Sequence, residues 1–392
     1  MANPVVAGVD MVKFVKPGTQ DPYRVMASTA INNAMAMAGI EAGNVDQAYA
    51  SYVNGDSTAG QHALYDAFQT GIPVINVNNN CASGSTALFL ARQAVASGAA
   101  DCVLAFGFEE MQPGALGSSS EGLEDPISRF AEVLQKLDYP PGPPALQCFG
   151  AAGSYYMDKY GAKADIFAKV AVKTRNHAVR NPYSLFSTPL SVEEVASAPV
   201  IWGNYLTRLM ACPPTCGAAA AIVVSQAFAQ RHGIKRGVEI IGQAMTTDTP
   251  TTWSDPMMTV GYDMTRRAAQ AAYEQAGVGP ESVQVVELHD CFTPNEVITY
   301  EALGLCDEGE ATALIERGDN TYGGKYVVNP SGGLMSKGHP VGATGLAQCF
   351  ELFHQLQHSA ADRQVDNANI ALQHNVGLGG AAVVTMYKNY KI

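Results

Sequence analysis

The stretch INVNNNCASGSTAL, residues 75–88, combines a predicted strand, a polar turn and a cysteine before a predicted helix. A short apolar strand at residues 74–77 leads into a polar turn, and Cys81 follows the turn. Between Cys81 and Ala100 the only charged residue is Arg92, which predicts a helix that is buried on most sides. Cys81 would lie at the N-terminus of that helix, where unpaired backbone N–H groups and the helix dipole stabilise a thiolate. Taken alone, this stretch fits a catalytic cysteine and a small buried hydrophobe equally well.

Strand and helix patterns alternate along the chain on both sides of this stretch. Before residue 236, strands are predicted at residues 5–9, 48–52, 74–77, 102–106 and 217–224, and helices at residues 23–38, 61–70 and 81–100. After it, strands are predicted at residues 238–242, 283–288, 327–329, 370–373 and 381–386, and helices at residues 266–275, 294–303 and 342–358. This alternation indicates an α/β fold built from βαβ units on a parallel sheet.

The chain divides into two halves, the first of which carries an insertion. The string GGAAVV at residues 379–384 echoes GAAAAIVV at residues 217–224, which indicates that the halves are related. We place the N-terminal half at residues 1–235 and the C-terminal half at residues 236–392, with an insertion at about residues 111–210. The insertion is rich in Gly, Ser and Pro at first and then helical, with the basic residues Lys163, Lys169, Lys173, Arg175, His177 and Arg180. These side chains fit either ligand phosphates or a solvated helix face, and the second interpretation is favoured.

Composition and charge exclude several classes of protein. The net charge of −12 argues against non-specific nucleic-acid binding. Hydrophobic residues make up 47% of the chain and charged residues 15%, which predicts large buried cores and an extensive subunit interface. No apolar run reaches membrane-spanning length, and we expect neither a secretory signal nor a peroxisomal address. A cytoplasmic protein is therefore expected.

The eight cysteines are scattered and form no disulfide framework, which is typical of a reducing compartment. Cys212 and Cys216 lie four residues apart, but no second ligand pair accompanies them, so no metal site is expected.

Three further stretches carry chemistry. In ELHDCFTPNE, residues 287–296, His289 and Cys291 follow a buried strand, where open α/β sheets place their ligands, although a packed histidine and cysteine fit equally well. Thr293 and Glu296 in the same stretch have the spacing of a capping box. His339 lies in the glycine-rich loop of residues 329–345, a position that favours function.

The third stretch is LQHNVGLGGAA, residues 372–382, and it contains a G-x-G-x-x-A string. A strand rather than a helix follows this string, so a nucleotide fingerprint is rejected; the loop can instead donate backbone N–H groups to an oxyanion. The sequence contains no G-x-S-x-G elbow, P-loop or H-E-x-x-H. Two cysteines, two histidines and a glycine loop suit thioester chemistry.

The sequence resembles the thiolases, and it resembles the sterol-carrier-protein-type subfamily most. The matching strings are NVNNNC at residues 76–81, HDCF at 289–292, KGHP at 337–340 and QHNVG at 373–377, with further similarity in NGDST at 54–58, NPYS at 181–184 and GDNTYGG at 318–324. The resemblance covers almost the whole chain. It implies two similar five-stranded α/β halves in a layered α-β-α-β-α arrangement with an inserted loop domain, assembled as a homodimer or homotetramer.

The resemblance also implies a mechanism. His339 would take the proton of Cys81, and the Cys81 thiolate would attack the 3-keto carbon of a 3-oxoacyl-CoA. Cleavage would release an enolate of acetyl-CoA or propionyl-CoA, which Cys291 would protonate while His339 and a water positioned by His289 hold the enolate oxygen. The acyl group would stay on Cys81, its oxygen facing the N–H groups of Cys81 and Gly377, until a second CoA removes it. CoA is thus a co-substrate, and no permanently bound cofactor is expected.

The chain departs from the family pattern at several positions. Many thiolases carry a second cysteine in a C-x-G motif, where this chain has Asn375-Val376-Gly377, so the acid/base work would fall on Cys291. The serine that contacts CoA in relatives has its nearest counterpart in Cys212, and Phe149 aligns weakly with a position that touches the acyl thioester. Together with Lys173, these two residues are weak candidates for CoA contacts. No fused sterol-carrier domain is expected.

Three functions remain open from the sequence. The leading one is a 3-oxoacyl-CoA thiolase of fatty-acid or sterol side-chain β-oxidation, within lipid metabolism. The alternatives are a steroid side-chain retro-aldolase subunit and a non-catalytic acyl-CoA or lipid-binding protein of the same fold. Retro-aldolase relatives tend to lack the nucleophilic cysteine, and a binding protein has no need for Cys81, Cys291 and His339 together, so both alternatives are disfavoured.

Overall fold

The computed structural model describes residues 3–112 and 125–390. The strands are β1 (Val5–Met11), β2 (Gln47–Ser51), β3 (Val74–Val77), β4 (Cys102–Glu109), β5 (Val200–Trp202), β6 (Leu206–Thr207), β7 (Gly217–Val224), β8 (Val238–Thr246), β9 (Val285–Glu287), β10 (Val327–Val328), β11 (Ile370–Gly377) and β12 (Ala381–Asn389). The helices are α1 (Tyr23–Ala38), α2 (Ala59–Tyr65), α3 (Ser83–Ala96), α4 (Ser128–Lys136), α5 (Pro144–Tyr160), α6 (Asp165–Ala178), α7 (Val192–Ala196), α8 (Gln226–Arg231), α9 (Pro256–Thr259), α10 (Tyr262–Ala276), α11 (Thr293–Ala302), α12 (Ala311–Glu316), α13 (Gly333–Ser336) and α14 (Thr344–Leu356).

Ten strands form one mixed sheet in the order β10-β9-β11-β12-β8-β1-β7-β4-β2-β3. The sheet consists of two five-stranded units, β1-β2-β3-β4-β7 and β8-β9-β10-β11-β12. When the strands of each unit are numbered along the chain, both units have the spatial order 3-2-4-5-1. Parallel and antiparallel pairings also fall at the same places in both units. Two similar five-stranded halves, as the resemblance implies, are therefore confirmed.

The two units are joined where the starts of β1 and β8 pair, through Val5 with Glu239 and Val6 with Val238. Helices α3 and α14 pack against each other and contact strands of both units. One apolar core surrounds them, with Leu88 of α3 and Leu346 of α14 fully buried between the strands. Helices α1 and α2 pack against strands of the first unit, and α10 packs against strands of the second. The expected α-β-α-β-α layering is thus present.

The segment between β4 and β7 holds α4 to α7 and the β5–β6 hairpin. Helix α5 packs on α9 and α11, and α6 packs on α11 and α13, so this segment lies against the second half of the chain. The expected insertion of residues 111–210 falls partly on residues 113–124, outside the described residues. The division at residues 235 and 236 stays a prediction.

Most element bounds agree with the sequence patterns, and two differences matter. Helix α1 ends at Ala38 as predicted, because Gly39 adopts the left-handed conformation with φ of 66°. The helix predicted at residues 61–70 is wrong at both ends, since α2 covers Ala59–Tyr65. Helix α3 begins at Ser83 rather than at Cys81, so Cys81 lies in the turn before the helix. None of the helices in the described ranges combines the length and apolarity that crossing a bilayer requires.

Candidate active site

The predicted catalytic residues meet at one end of the sheet. Cys81 follows β3, His289 and Cys291 follow β9, and Gly377 is the last residue of β11, all at the carboxyl ends of parallel strands. His339 lies between α13 and α14. The Cys81 Sγ atom and one ring nitrogen of each of His289 and His339 lie within 4.8 Å of one another. The two imidazole rings stand edge to face with centroids 5.0 Å apart.

His339 is held in one tautomer by Thr344. The Thr344 hydroxyl donates to Pro340 O at 2.9 Å, and a carbonyl oxygen can only accept. The Thr344 oxygen, 2.7 Å from His339 Nδ1, must therefore accept a hydrogen bond from Nδ1–H. His339 Nε2 then carries the lone pair and finds no hydrogen-bond partner among the described residues. Burial lowers the pKa of His339 to about 3, which keeps the ring neutral and leaves the Nε2 lone pair open to a proton.

The surroundings of Cys81 act on the pKa of its thiol. Burial raises the pKa of its thiol to about 12, and the nearby carboxyl of Glu109 raises it further. The Sγ atom lies 3.6 Å from Asn80 Oδ1, a contact in which a neutral thiol donates. Cys81 lies in the turn before the helix, and burial and Glu109 both favour the neutral thiol. A thiolate stabilised by the helix N-terminus stays a prediction.

A neutral Cys81–His339 pair predicts how alkylation depends on pH. Because the thiolate fraction rises tenfold per pH unit below the thiol pKa, the rate of Cys81 alkylation by iodoacetamide should climb steadily from pH 6 to pH 10. The measurement is peptide mass spectrometry that follows Cys81 separately from the other cysteines. A plateau beginning below pH 8 would instead indicate a thiolate–imidazolium pair and would contradict this protonation state.

Cys291 and Cys212 lie next to each other and near Cys81. The Cys212 N–H donates to Cys291 O at 2.8 Å. Burial raises the pKa of Cys291 well above its usual range, and the charges that Cys212 and Cys81 can carry raise it further. A buried protonated thiol beside the nucleophile suits an acid that delivers a proton to carbon. The Phe149 ring stacks on Phe292, with centroids 5.1 Å apart, beside Cys291.

Gly377 allows the turn of residues 79–82, which contains Cys81, to approach β11 closely. A β-carbon at residue 377 would lie 2.1 Å from Asn79 O and 3.1 Å from Ala82 N, so any larger residue would push this turn away. The Asn80 side chain donates to Leu378 O at 3.1 Å and fixes the same contact. The backbone around Gly377 is thus adjacent to Cys81, as the expected oxyanion hole requires.

Buried carboxylates tie the His289 and His339 loops together. Glu287 accepts hydrogen bonds from the Ser331 N–H at 3.0 Å and from Lys337 Nζ at 3.4 Å. Asp290 accepts from the Leu334 N–H at 2.7 Å, and burial raises its pKa to about 8. The segment that follows β9 and the segment that precedes His339 therefore form one rigid unit.

The basic residues of α6 do not form a solvated face. Arg175 donates to Ser336 Oγ at 3.1 Å, and His177 Nδ1 lies 3.0 Å from Asn329 O, both in buried positions. Lys173 is 8% exposed and pairs with Glu296. The favoured interpretation of this helix is therefore wrong for these three residues, because the helix packs against the second half of the chain.

The Lys173–Glu296 pair also overturns two smaller expectations. Glu296 accepts from Lys173 and from the Tyr300 hydroxyl, so it caps no helix; α11 begins at Thr293 without a side-chain cap. The predicted capping box is therefore wrong. With its ammonium held by Glu296 and Val328 O inside the protein, Lys173 is no longer proposed as a CoA ligand.

Breaking this pair should destabilise the fold. Lys173→Met would leave Glu296 buried without its counter-charge and should lower the free energy of unfolding by about 3–5 kcal/mol. Lys169→Met on the same helix removes only surface pairs and should change it by less than about 0.5 kcal/mol. Urea denaturation of the two variants and the parent makes the comparison. Equal midpoints for both variants would show that the buried pair contributes nothing.

Some residues that shape the site were not predicted from the sequence. Glu109 at the end of β4 accepts from the N–H groups of Asn54 at 2.7 Å and Gly342 at 2.9 Å, which links the first half to the His339 loop. Thr344 and Ser85 also act through their hydroxyl groups on site residues. A carboxylate at the carboxyl end of a buried strand was the available signal for Glu109.

Cys81, His289 and His339 could also hold a metal ion. Among the described residues they are the one group of such side chains whose donor atoms converge closely enough. A thiolate and two imidazoles suit a thiophilic cation such as Zn²⁺. The chemistry of the three groups as acid, base and nucleophile needs no metal.

Comparison with known proteins places both halves in one family. Residues 5–197 match the family model described as thiolase, N-terminal domain, and residues 242–388 match the one described as thiolase C-terminal domain-like. The protein named sterol carrier protein 2 from Oryctolagus cuniculus is 52% identical over 390 residues, which cover 98% of this chain and 71% of that protein. Acetyl-CoA acetyltransferase from Methanothermobacter thermautotrophicus is 31% identical over 99% of this chain and 100% of that protein.

One solved structure shows the extent of the shared fold. The structure described as Ltp2-ChsH2(DUF35) aldolase superposes with a TM-score of 0.80 over 98% of this chain and 97% of that one. Its sequence identity to this chain is 21%, so this likeness shows the fold alone.

Proposed function

The chain belongs to the thiolase family, and from this we propose that it is a CoA-dependent 3-oxoacyl-CoA thiolase that forms an acyl-Cys81 intermediate. The products would be acetyl-CoA or propionyl-CoA and a shortened acyl-CoA, as in fatty-acid or sterol side-chain β-oxidation. One observation carries the proposal: Cys81 Sγ and ring nitrogens of His289 and His339 converge within 4.8 Å, with Cys291 nearby.

The first half-reaction transfers the acyl group to the protein. His339 Nε2 takes the Cys81 proton as Sγ attacks C3 of the substrate, so that the neutral pair is charged only when the substrate is in place. Collapse of the adduct breaks the C2–C3 bond and leaves a thioester enolate. Cys291 protonates C2 of that enolate, and its raised pKa keeps the proton available at neutral pH.

The second half-reaction regenerates the thiol. The sulfur of an incoming CoA loses its proton to the Cys291 thiolate left by the first half-reaction and attacks the acyl carbon on Cys81. The Cys81 sulfur then leaves and recovers the proton held by His339, and the shortened acyl-CoA departs. The thioester oxygen would face the backbone N–H groups of Cys81 and Gly377, a placement supported by the close packing of Gly377 on Asn79. CoA thus acts as a co-substrate and is released in each cycle.

Product analysis tests this reaction against the retro-aldolase alternative. The protein is incubated with 3-oxoacyl-CoA esters plus CoA and, separately, with side-chain hydroxyacyl-CoA esters without CoA, and the products are identified by mass spectrometry. We expect shortened acyl-CoA to form only when CoA is present. Cleavage of the hydroxyacyl-CoA alone, with every 3-oxoacyl-CoA left intact, would contradict the proposal.

We further propose a homodimer or homotetramer. Strand β3 ends the ten-stranded sheet, and Ile75 on this strand is 39% exposed. An edge strand with an exposed apolar side chain invites pairing with another chain. Light scattering on the purified protein should give twice or four times the monomer mass, whereas a monomer at all concentrations would contradict this proposal.

A further inference from the structure

A chain of hydrogen bonds ends on His289. The Tyr387 hydroxyl donates to Gln373 Oε1 at 2.5 Å, and Gln373 Nε2 donates to Ser85 Oγ at 2.8 Å. The Ser85 hydroxyl donates to Asn375 Oδ1, and Asn375 Nδ2 lies 3.2 Å from His289 Nδ1. All five side chains are buried. We refer to these five residues as the Tyr387–His289 relay.

The direction of the relay is fixed by acceptors that cannot donate. Gln373 Nε2 lies 2.7 Å from Gly345 O, and only the amide nitrogen can donate to that carbonyl. Ser85 Oγ therefore accepts from Gln373 and keeps its own hydrogen for Asn375 Oδ1. The reverse orientation of Asn375 would leave the Ser85 hydrogen without an acceptor among the described residues. Asn375 therefore presents its N–H₂ group to His289.

Ser85 and Asn375 of the relay pack tightly against Gly345. A β-carbon at residue 345 would lie 2.3 Å from Ser85 Oγ and 2.8 Å from Asn375 Oδ1, so the glycine backbone already fills the space beside both groups. The side chains of Ser85 and Asn375 therefore cannot swing toward Gly345 to find other partners.

The relay determines which nitrogen of His289 carries the hydrogen. Because Asn375 donates to Nδ1, that nitrogen must hold the lone pair and Nε2 must hold the hydrogen. His289 Nε2 finds no partner among the described residues. His339 is the opposite tautomer, since its Nδ1 donates to Thr344. The two histidines therefore present one N–H donor and one lone pair to the same site.

We propose that Tyr387, Gln373, Ser85 and Asn375 are positioning residues that hold His289 as the Nε2–H tautomer, the form in which it can donate a hydrogen bond to the enolate oxygen of the substrate. This inference rests on the proposed thiolase function for the identity of that oxygen. The two histidines thus have different roles: His339 moves the Cys81 proton, and His289 stabilises the negative charge on the enolate oxygen.

Nuclear magnetic resonance of the free protein reads the tautomer without substrate. Protein labelled with ¹⁵N-histidine, with His289 assigned through a His289→Asn variant, should show the hydrogen on Nε2. Asn375→Asp should reverse it, because the carboxylate can only accept and draws a hydrogen to Nδ1. Ser85→Ala should give a mixture, since Asn375 loses the partner that orients it. A His289 that keeps Nε2–H in all three proteins would overturn the proposal.

Two half-reactions separate positioning from a general structural role. Asn375→Asp should lower kcat for 3-oxoacyl-CoA cleavage by about 10²–10³-fold, the effect of removing one oxyanion donor, with KM changed less than about threefold. Ser85→Ala should lower kcat by a smaller factor, about tenfold. Exchange of the acyl group between a simple acyl-CoA and Cys81 forms no enolate. The rate of this exchange should therefore change by less than about threefold in both variants. Equal losses in cleavage and exchange would overturn the positioning role.

Matched variants and the two readouts keep the outcomes distinct. Thr207→Val removes a buried hydroxyl whose one hydrogen bond within the described residues goes to Val195 O, and it should change neither the His289 tautomer nor kcat. If Asn375→Asp does not fold, Ser85→Ala decides the question. Wild-type protein with His289 Nε2–H but no thiolase activity would refute the proposed function and leave the tautomer standing. Activity with the opposite tautomer would refute the relay alone.

Discussion

Cys81→Ala is expected to lower the rate of 3-oxoacyl-CoA cleavage by on the order of 10⁶-fold, the loss that removal of a catalytic nucleophile causes in a serine protease. Both half-reactions pass through the Cys81 thioester, so acyl exchange with CoA should disappear together with cleavage. The fold should persist, because alanine fills most of the space of cysteine in the turn before α3. Steady-state cleavage and acyl exchange are measured on the same preparation.

The matched control is Cys102→Ala, at the start of β4 and far along that strand from Glu109. Cys102 is fully buried and touches none of the groups assigned to the mechanism, so the variant should keep cleavage within about threefold. A Cys81→Ala variant that retains more than about one hundredth of the parent rate would exclude Cys81 as the nucleophile.

Cys291→Ala should separate the two kinds of chemistry at the site. The variant lacks the proton donor to C2, so cleavage should fall by about 10²–10⁴-fold, the range for loss of a general acid or base. Exchange of deuterium from solvent into C2 of acetyl-CoA should fall by a similar factor. Acyl exchange between acyl-CoA and Cys81 needs only Cys81 and His339 and should stay within about threefold.

Cys212→Ala tests whether the neighbouring thiol could serve as the acid instead. The Cys212 backbone N–H still holds Cys291 in this variant, so C2 deuterium exchange should remain within about tenfold of the parent. If Cys212→Ala loses C2 exchange while Cys291→Ala retains it, the roles of the two thiols are the reverse of those assigned here.

Local signals predicted the elements well because they are decided by neighbouring residues. The left-handed Gly39 after α1 and the continuous apolar run of β7 both fix their element without help from the rest of the fold. The residues themselves indicated the repeat of the two halves only through the weak similarity between residues 217–224 and 379–384. Pairing order is a property of the assembled sheet.

Several of the errors and omissions share one physical cause, which is distance along the chain. Lys173 and Glu296 are 123 residues apart, so nothing near Lys173 showed that its charge is buried. Burial and Glu109 both raise the pKa of Cys81, and reasoning from the local helix dipole includes neither. His289 and Asn375 are 86 residues apart, and their contact, which decides the tautomer, could not be predicted from either motif.

The site residues themselves were predictable because each lies in a stretch with unusual local chemistry. Cys81, His289 and His339 stand in turns or loops at the ends of strands or before helices, where side chains are free to act on a ligand. Their convergence within 4.8 Å is the step that only the fold supplies.

The acyl-Cys81 intermediate is tested most directly by the intact mass of the protein after mixing with a 3-oxoacyl-CoA in the absence of free CoA. Wild type should gain the mass of the shortened acyl group, peptide mapping should place it on Cys81, and adding CoA should remove it. Cys81→Ala should gain nothing. Consumption of the substrate without an adduct, or an adduct on a thiol other than Cys81, would contradict the acyl-Cys81 mechanism.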